Sequence, residues 1–115
     1  MAVLRGPAVL DVTDRLVRLR RYLGDELGVA RALRMGFDAC PSDPVLRERV
    51  LSGCSAQGDD RGIAETLGRA AAACPDDLEL QLRWAVALRD AGQPEQSLAA
   101  LDQVLASHPE HAGLH

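Results

Sequence analysis

Residues 58–75 read GDDRGIAETLGRAAAACP, and the same framework stands 34 residues to either side: GDELGVARALRMGFDACP at 24–41 and GQPEQSLAALDQVLASHP at 92–109. Each stretch opens on glycine (Gly24, Gly58, Gly92), carries leucine at an equivalent place (Leu33, Leu67, Leu101) and closes on proline (Pro41, Pro75, Pro109). Three columns in phase, with no insertion, are hard to obtain by chance in 115 residues. A period of roughly 20–50 residues marks a chain of stacked structural repeats, in which no unit can bury its apolar face alone.

The residues between these landmarks have helical spacing. Leu16, Leu19 and Leu23 predict a first helix from about Asp11 to Leu23, which Gly24 ends because glycine takes the left-handed conformation without a Cβ clash. Asp25 is placed to cap a partner helix carrying Leu27, Val29, Ala30, Leu33 and Phe37. Asp43-Pro44 opens the next helix sharply, since Asp caps and proline at the first helical position loses no needed donor. That helix carries Leu46, Val50 and Leu51 and stops near Gly58. Its return from Asp59 or Asp60 uses Ile63, Ala64, Leu67, Ala70 and Ala71. A third pair begins at Asp76 or Asp77 with Leu80, Trp84, Ala87 and Leu88. It turns at Gly92 and ends in a helix opened by Pro94, with Leu98, Leu101, Val104 and Leu105 as its apolar face. Gly6-Pro7 is expected to break any helix before the first repeat.

These columns resemble the tetratricopeptide repeat pattern, W-x2-L-G-x2-Y…A-x3-F…P, over about nine-tenths of the chain. Repeats then fall at 10–43, 44–77 and 78–111, with 1–9 as a lead-in and 112–115 as a tail to one domain spanning 1–115. Leu16, Val50 and Trp84 occupy the Leu column, and Val17, Leu51 and Ala85 the small-residue column. Arg20, Cys54 and Leu88 fill the Tyr column, Val29, Ile63 and Ser97 the Ala column, and Leu33, Leu67 and Leu101 the Phe column. The Trp column holds Thr13, Arg47 and Gln81 instead, and Arg20 sits where the family buries a side chain. The resemblance implies an all-α, right-handed superhelical α-solenoid of three helix-turn-helix repeats. It also implies that Trp84 lies in the core.

Composition bounds the function. With 47% hydrophobic and 26% charged residues the chain is too apolar for disorder, and at 3% aromatic its core must be aliphatic and small. All 13 basic residues are arginine, which points to a bacterial source of high GC content. The net charge of −4 and a pI near 5.3 are unlike the basic stripe of a nucleic-acid binder. No apolar run approaches the ~20 residues that span a bilayer, and no signal-peptide core is present. A cytoplasmic protein is expected, with Cys40, Cys54 and Cys74 as reduced thiols.

Motifs for phosphate, zinc, nucleophilic or cofactor chemistry are absent from the sequence, and the reading is of a non-enzyme. His108 and His111 flank Pro109 and, with His115, lack further ligands. Arg15, Arg49 and Arg83 recur at the 34-residue step, and the resemblance puts their column on the concave groove. Guanidinium forks suit carboxylates, so an acidic or extended protein segment is one expected ligand, with Arg18 and Arg89 widening the strip. The alternative is internal neutralisation by Asp11, Asp14, Glu48 and Glu79. Tyr22, Leu82 and Val86 complete the expected partner-binding set. The chaperone-tail clamp known in the family would be matched only by Arg83.

The function expected is that of a non-catalytic protein–protein interaction module, an adaptor or scaffold. The alternative is a small chaperone for a secreted or self-assembling subunit, which would keep an apolar groove. The last helix pair is expected to leave Leu98 and Leu105 open, offering a surface for self-association.

Overall fold

The computed structural model describes residues 7–107, with side chains described from 8 to 106. Among these residues all regular structure is helical: α1 Pro7–Tyr22, α2 Glu26–Ala39, α3 Pro44–Ala56, α4 Asp60–Ala73, α5 Leu78–Asp90 and α6 Pro94–Ser107. The helices fall into two compact units, divided between Gln57 and Gly58. In the first, α2 packs against α1 and α3; in the second, α5 packs against α4 and α6. None of these helices is long and apolar enough to cross a membrane.

The glycine landmarks, and the prolines Pro41 and Pro75, sit in turns between helices; Pro109 lies outside the described residues. Gly24, Gly58 and Gly92 have φ of 71°, 65° and 81°, the left-handed region that a Cβ disfavours. After α1 the Asp25 amide donates to the Arg20 carbonyl at 2.8 Å, and after α5 the Gln93 amide donates to Leu88 at 2.9 Å. Both bonds recover a carbonyl that the helix end leaves open. Asp25, Asp43, Asp59 and Asp77 cap α2 to α5, each accepting from backbone amides of the first turn. Such a cap stabilises a helix by about 1 kcal/mol. At Cys40-Pro41-Ser42-Asp43 and again at Cys74-Pro75-Asp76-Asp77 the fourth amide donates to the first carbonyl at 3.1 Å. Proline at the second place presets φ for such a turn. All three cysteines are free thiols.

Burial follows the 34-residue phase in two columns but not in the leucine column, where Leu33 is half-buried, Leu67 buried and Leu101 exposed. Val17, Leu51 and Ala85 are buried, as are Gly36, Ala70 and Val104. In the first unit Val17, Val29 and Ala32 form a cluster against which Leu16 and Leu33 pack, and Phe37 and Leu46 are wholly enclosed. In the second unit Ser97 on α6 donates its hydroxyl proton to the buried Ala85 carbonyl of α5 at 2.7 Å.

Four expectations need correction. Helix α1 begins at Pro7 rather than near Asp11, because proline at the first helical position has the right φ and lacks only an amide with no partner there. Its buried stripe is Val9, Thr13 and Val17, so Leu19 and Leu23, and Leu27 opposite the turn, face solvent. Trp84 is half-buried and walls a cavity instead of filling the core. On α6 the buried line is Ser97, Ala100 and Val104, leaving Leu101 exposed along with the expected Leu98 and Leu105. Arg20, in a column the family buries, is exposed and bonds Asp25 at 3.0 Å. His108, His111 and His115 lie outside the described residues.

Candidate binding groove

Helix α5 presents Glu79, Leu82, Arg83, Val86 and Asp90 along one face, at the spacing i, i+3, i+4, i+7 and i+11 that keeps side chains in register on a helix. Beside this face Asp60, Ile63 and Leu67 of α4 run antiparallel, and the two rows enclose a groove of about 420 Å³. Its floor is aliphatic. Leu82 and Val86 keep 43% and 48% of their surface exposed, and Ile63, which lines the same groove, is half-buried. Aliphatic side chains so exposed on neighbouring turns are a concave apolar strip with water on it, the usual form of a binding surface.

The rim is charged and mainly acidic. Asp60, Glu79 and Asp90 line it against the single cation Arg83. Asp90 Oδ1 accepts from Arg89 at 3.2 and 3.3 Å, an exposed pair of neighbours along the helix. Among the described residues neither Asp60 nor Glu79 takes part in an ion pair.

The remaining sequence-predicted site residues belong to the first unit and point to a different situation. Arg15 donates to Asp11 at 3.3 Å one helical turn earlier, and the Arg49 guanidinium pairs with Asp14. Two members of the arginine series are thus matched by carboxylates, Arg15 within α1 and Arg49 across from α3 to α1. Both pairs are substantially exposed, where an ion pair contributes about 0–1 kcal/mol. Arg18 is exposed, and Tyr22 keeps 88% of its surface accessible. Of the expected set, Leu82, Arg83 and Val86 come together in one groove, and Arg89 stands at its edge.

The contribution of α4 was missed in the sequence. Ile63 and Leu67 occupy repeat columns that the family buries, so they read as core; Asp60 read as a helix-start charge. The i, i+3, i+4, i+7 pattern from Glu79 to Val86 was the signal available for the α5 side.

A second cavity of about 310 Å³ lies among α4, α5 and α6. Gly68, Ala71 and Ala72 make its small-residue floor and Trp84 one wall. A Cβ at Gly68 would lie 3.0 Å from Trp84 Nε1, so the bare helix backbone is what leaves room for the indole. Gln81 donates across to the Ala71 carbonyl at 3.0 Å. Among the described residues no cluster of three His, Cys, Asp or Glu side chains is placed to hold a metal. Compared with known proteins, the chain matches no family model and no curated protein.

Proposed function

We propose that this chain is a non-catalytic protein–protein interaction module of tetratricopeptide type, a right-handed helical solenoid of three repeats working in a bacterial cytoplasm. Its partner is another protein, held by a segment laid into the α4–α5 groove. The observation that carries the reading is the half-exposed pair Leu82 and Val86 over Ile63, ringed by charged groups. Full burial of a large aliphatic side chain is worth about 1.5–3 kcal/mol, so covering the exposed halves of these two offers a partner about 1.5–3 kcal/mol in total. The charged rim then orients the segment. An aliphatic groove is also what the chaperone alternative requires, and that reading gains from the same floor.

The test compares capture of proteins from source-cell lysate by the wild-type chain and by two variants of confirmed helicity. Leu82→Glu/Val86→Ser removes the floor, whereas Arg15→Glu/Arg49→Glu/Arg83→Glu reverses the arginine series. Loss of a bound protein with the first variant supports the groove. Equal capture by the wild type and both variants would remove groove binding from consideration.

A further inference from the structure

We infer that the segment taken by the α4–α5 groove is basic and apolar: a large aliphatic or aromatic side chain seated on Leu82 and Val86, with lysine or arginine on either side of it. The inference rests on the groove reading above and adds the chemistry of the ligand. Asp60 and Asp90 stand at one end of the groove and Glu79 at the other, because α4 and α5 run antiparallel. Glu79 and Asp90 are separated by eleven positions on α5, about 16 Å at 1.5 Å per residue. An extended segment of about five residues covers that span at ~3.3 Å each. A cation near each end of such a segment meets a carboxylate while the middle residue meets the floor.

The charges favour this polarity. Arg83 is the one cation among the lining residues, against three carboxylates, and Arg89 offsets Asp90 alone. An acidic segment would bring like charges against Asp60 and Glu79. A purely apolar one would draw water from those carboxylates without replacing it. The wider field has the same sign. Residues 58–107 hold nine Asp and Glu against four Arg, a balance of −5, whereas residues 7–57 hold seven against eight. An acidic unit with an apolar strip at its surface attracts cationic segments from a distance and orients their approach.

Among the described residues one basic and apolar stretch is exposed throughout, Arg18 to Leu23, so a second copy is the competing occupant. The experiment selects short random peptides displayed on phage against the full chain. The selected peptides are then measured by fluorescence anisotropy on the wild type, on Leu82→Glu/Val86→Ser and on Asp60→Asn/Glu79→Gln. Light scattering follows self-association. The expected result is peptides with Lys or Arg flanking a large apolar residue, bound about tenfold more weakly by either variant and weakened by added salt. Selection of acidic or uncharged peptides that lose binding only on Leu82→Glu/Val86→Ser would overturn the charge inference and leave the groove standing. Peptides indifferent to that variant, or no enrichment, would overturn both. Self-association abolished by Arg18→Glu/Arg21→Glu would overturn the separate-partner inference in favour of a second copy.

Discussion

Replacing Gly36 by alanine should destabilise the first unit, while the same replacement at Gly53 should stabilise it. Both glycines are helical, and a glycine inside a helix costs about 1 kcal/mol relative to alanine. At Gly53 in α3 an added Cβ meets nothing within 4 Å, so that gain should be realised nearly in full. At Gly36 in α2 the added Cβ lies 2.9 Å from Thr13 Cγ2 and 3.1 Å from Thr13 Cβ. Thr13 is buried and cannot swing into solvent. Either α1 and α2 part by several tenths of an ångström or the threonine leaves its rotamer, and overpacking of this kind costs about 1–3 kcal/mol. After the helix gain, a net loss of about 0–2 kcal/mol is expected, against a gain of about 1 kcal/mol at Gly53. Urea denaturation followed by far-UV circular dichroism measures it, and both sites lie in the same compact unit. Thr13→Ala removes the methyl and hydroxyl while leaving the Cβ. In that background the Gly36→Ala cost should fall by about 1 kcal/mol or more, well above the ~0.5 kcal/mol within which independent sites add. Equal stabilisation at Gly36 and Gly53, or additivity with Thr13→Ala, would refute the close approach of α1 and α2 at this point.

Asp43→Ala removes a carboxylate that accepts from Val45 and Leu46 at 2.8 and 3.2 Å and should cost about 1 kcal/mol in the same denaturation assay. Asp14→Asn, which breaks only the exposed pair with Arg49, should stay within about 0.5 kcal/mol. Leu80 is enclosed, at 2% exposure, so Leu80→Ala should cost about 2–5 kcal/mol. Leu98→Ala, at a site 64% exposed, should change stability by less than about 0.5 kcal/mol.

The helices and their connections were legible because glycine, proline and aspartate act through the backbone, where side-chain identity and conformation are tightly linked. Gly24, Gly58 and Gly92 each needed positive φ, and Asp25, Asp43, Asp59 and Asp77 each needed only a nearby free amide. Depth of burial was less legible. Leu19, Leu23 and Leu27 are as apolar as any core residue, yet Thr13 took the interior place because it faces Gly36, whose missing side chain leaves space for a small group. Trp84 illustrates the converse. Its column is half-buried at Leu16 and buried at Val50, and the indole stands half-buried at a cavity wall against Gly68.

The groove was the least legible part because it is made where the repeats differ. Moved back by 34 residues, the α5 face Glu79, Leu82, Arg83, Val86 and Asp90 becomes Val45, Glu48, Arg49, Ser52 and Ala56. Moved back again it becomes Asp11, Asp14, Arg15, Arg18 and Tyr22. These positions are exposed or half-buried in all three helices, so folding leaves their chemistry free and only arginine recurs. Periodicity therefore singled out the arginines, two of which are matched by Asp11 and Asp14; Leu82 and Val86 were expected in the groove as its apolar members, and it was the α4 wall, Asp60, Ile63 and Leu67, that went unread. The same comparison says how to remove the groove without harming the helix. Glu48 and Ser52 occupy the corresponding places on α3 and are carried there on a well-formed helix, so Leu82→Glu/Val86→Ser gives α5 side chains that this surface already bears. A variant that keeps its helicity and unfolding midpoint while losing its ligand would place recognition in the residues by which one repeat departs from the others.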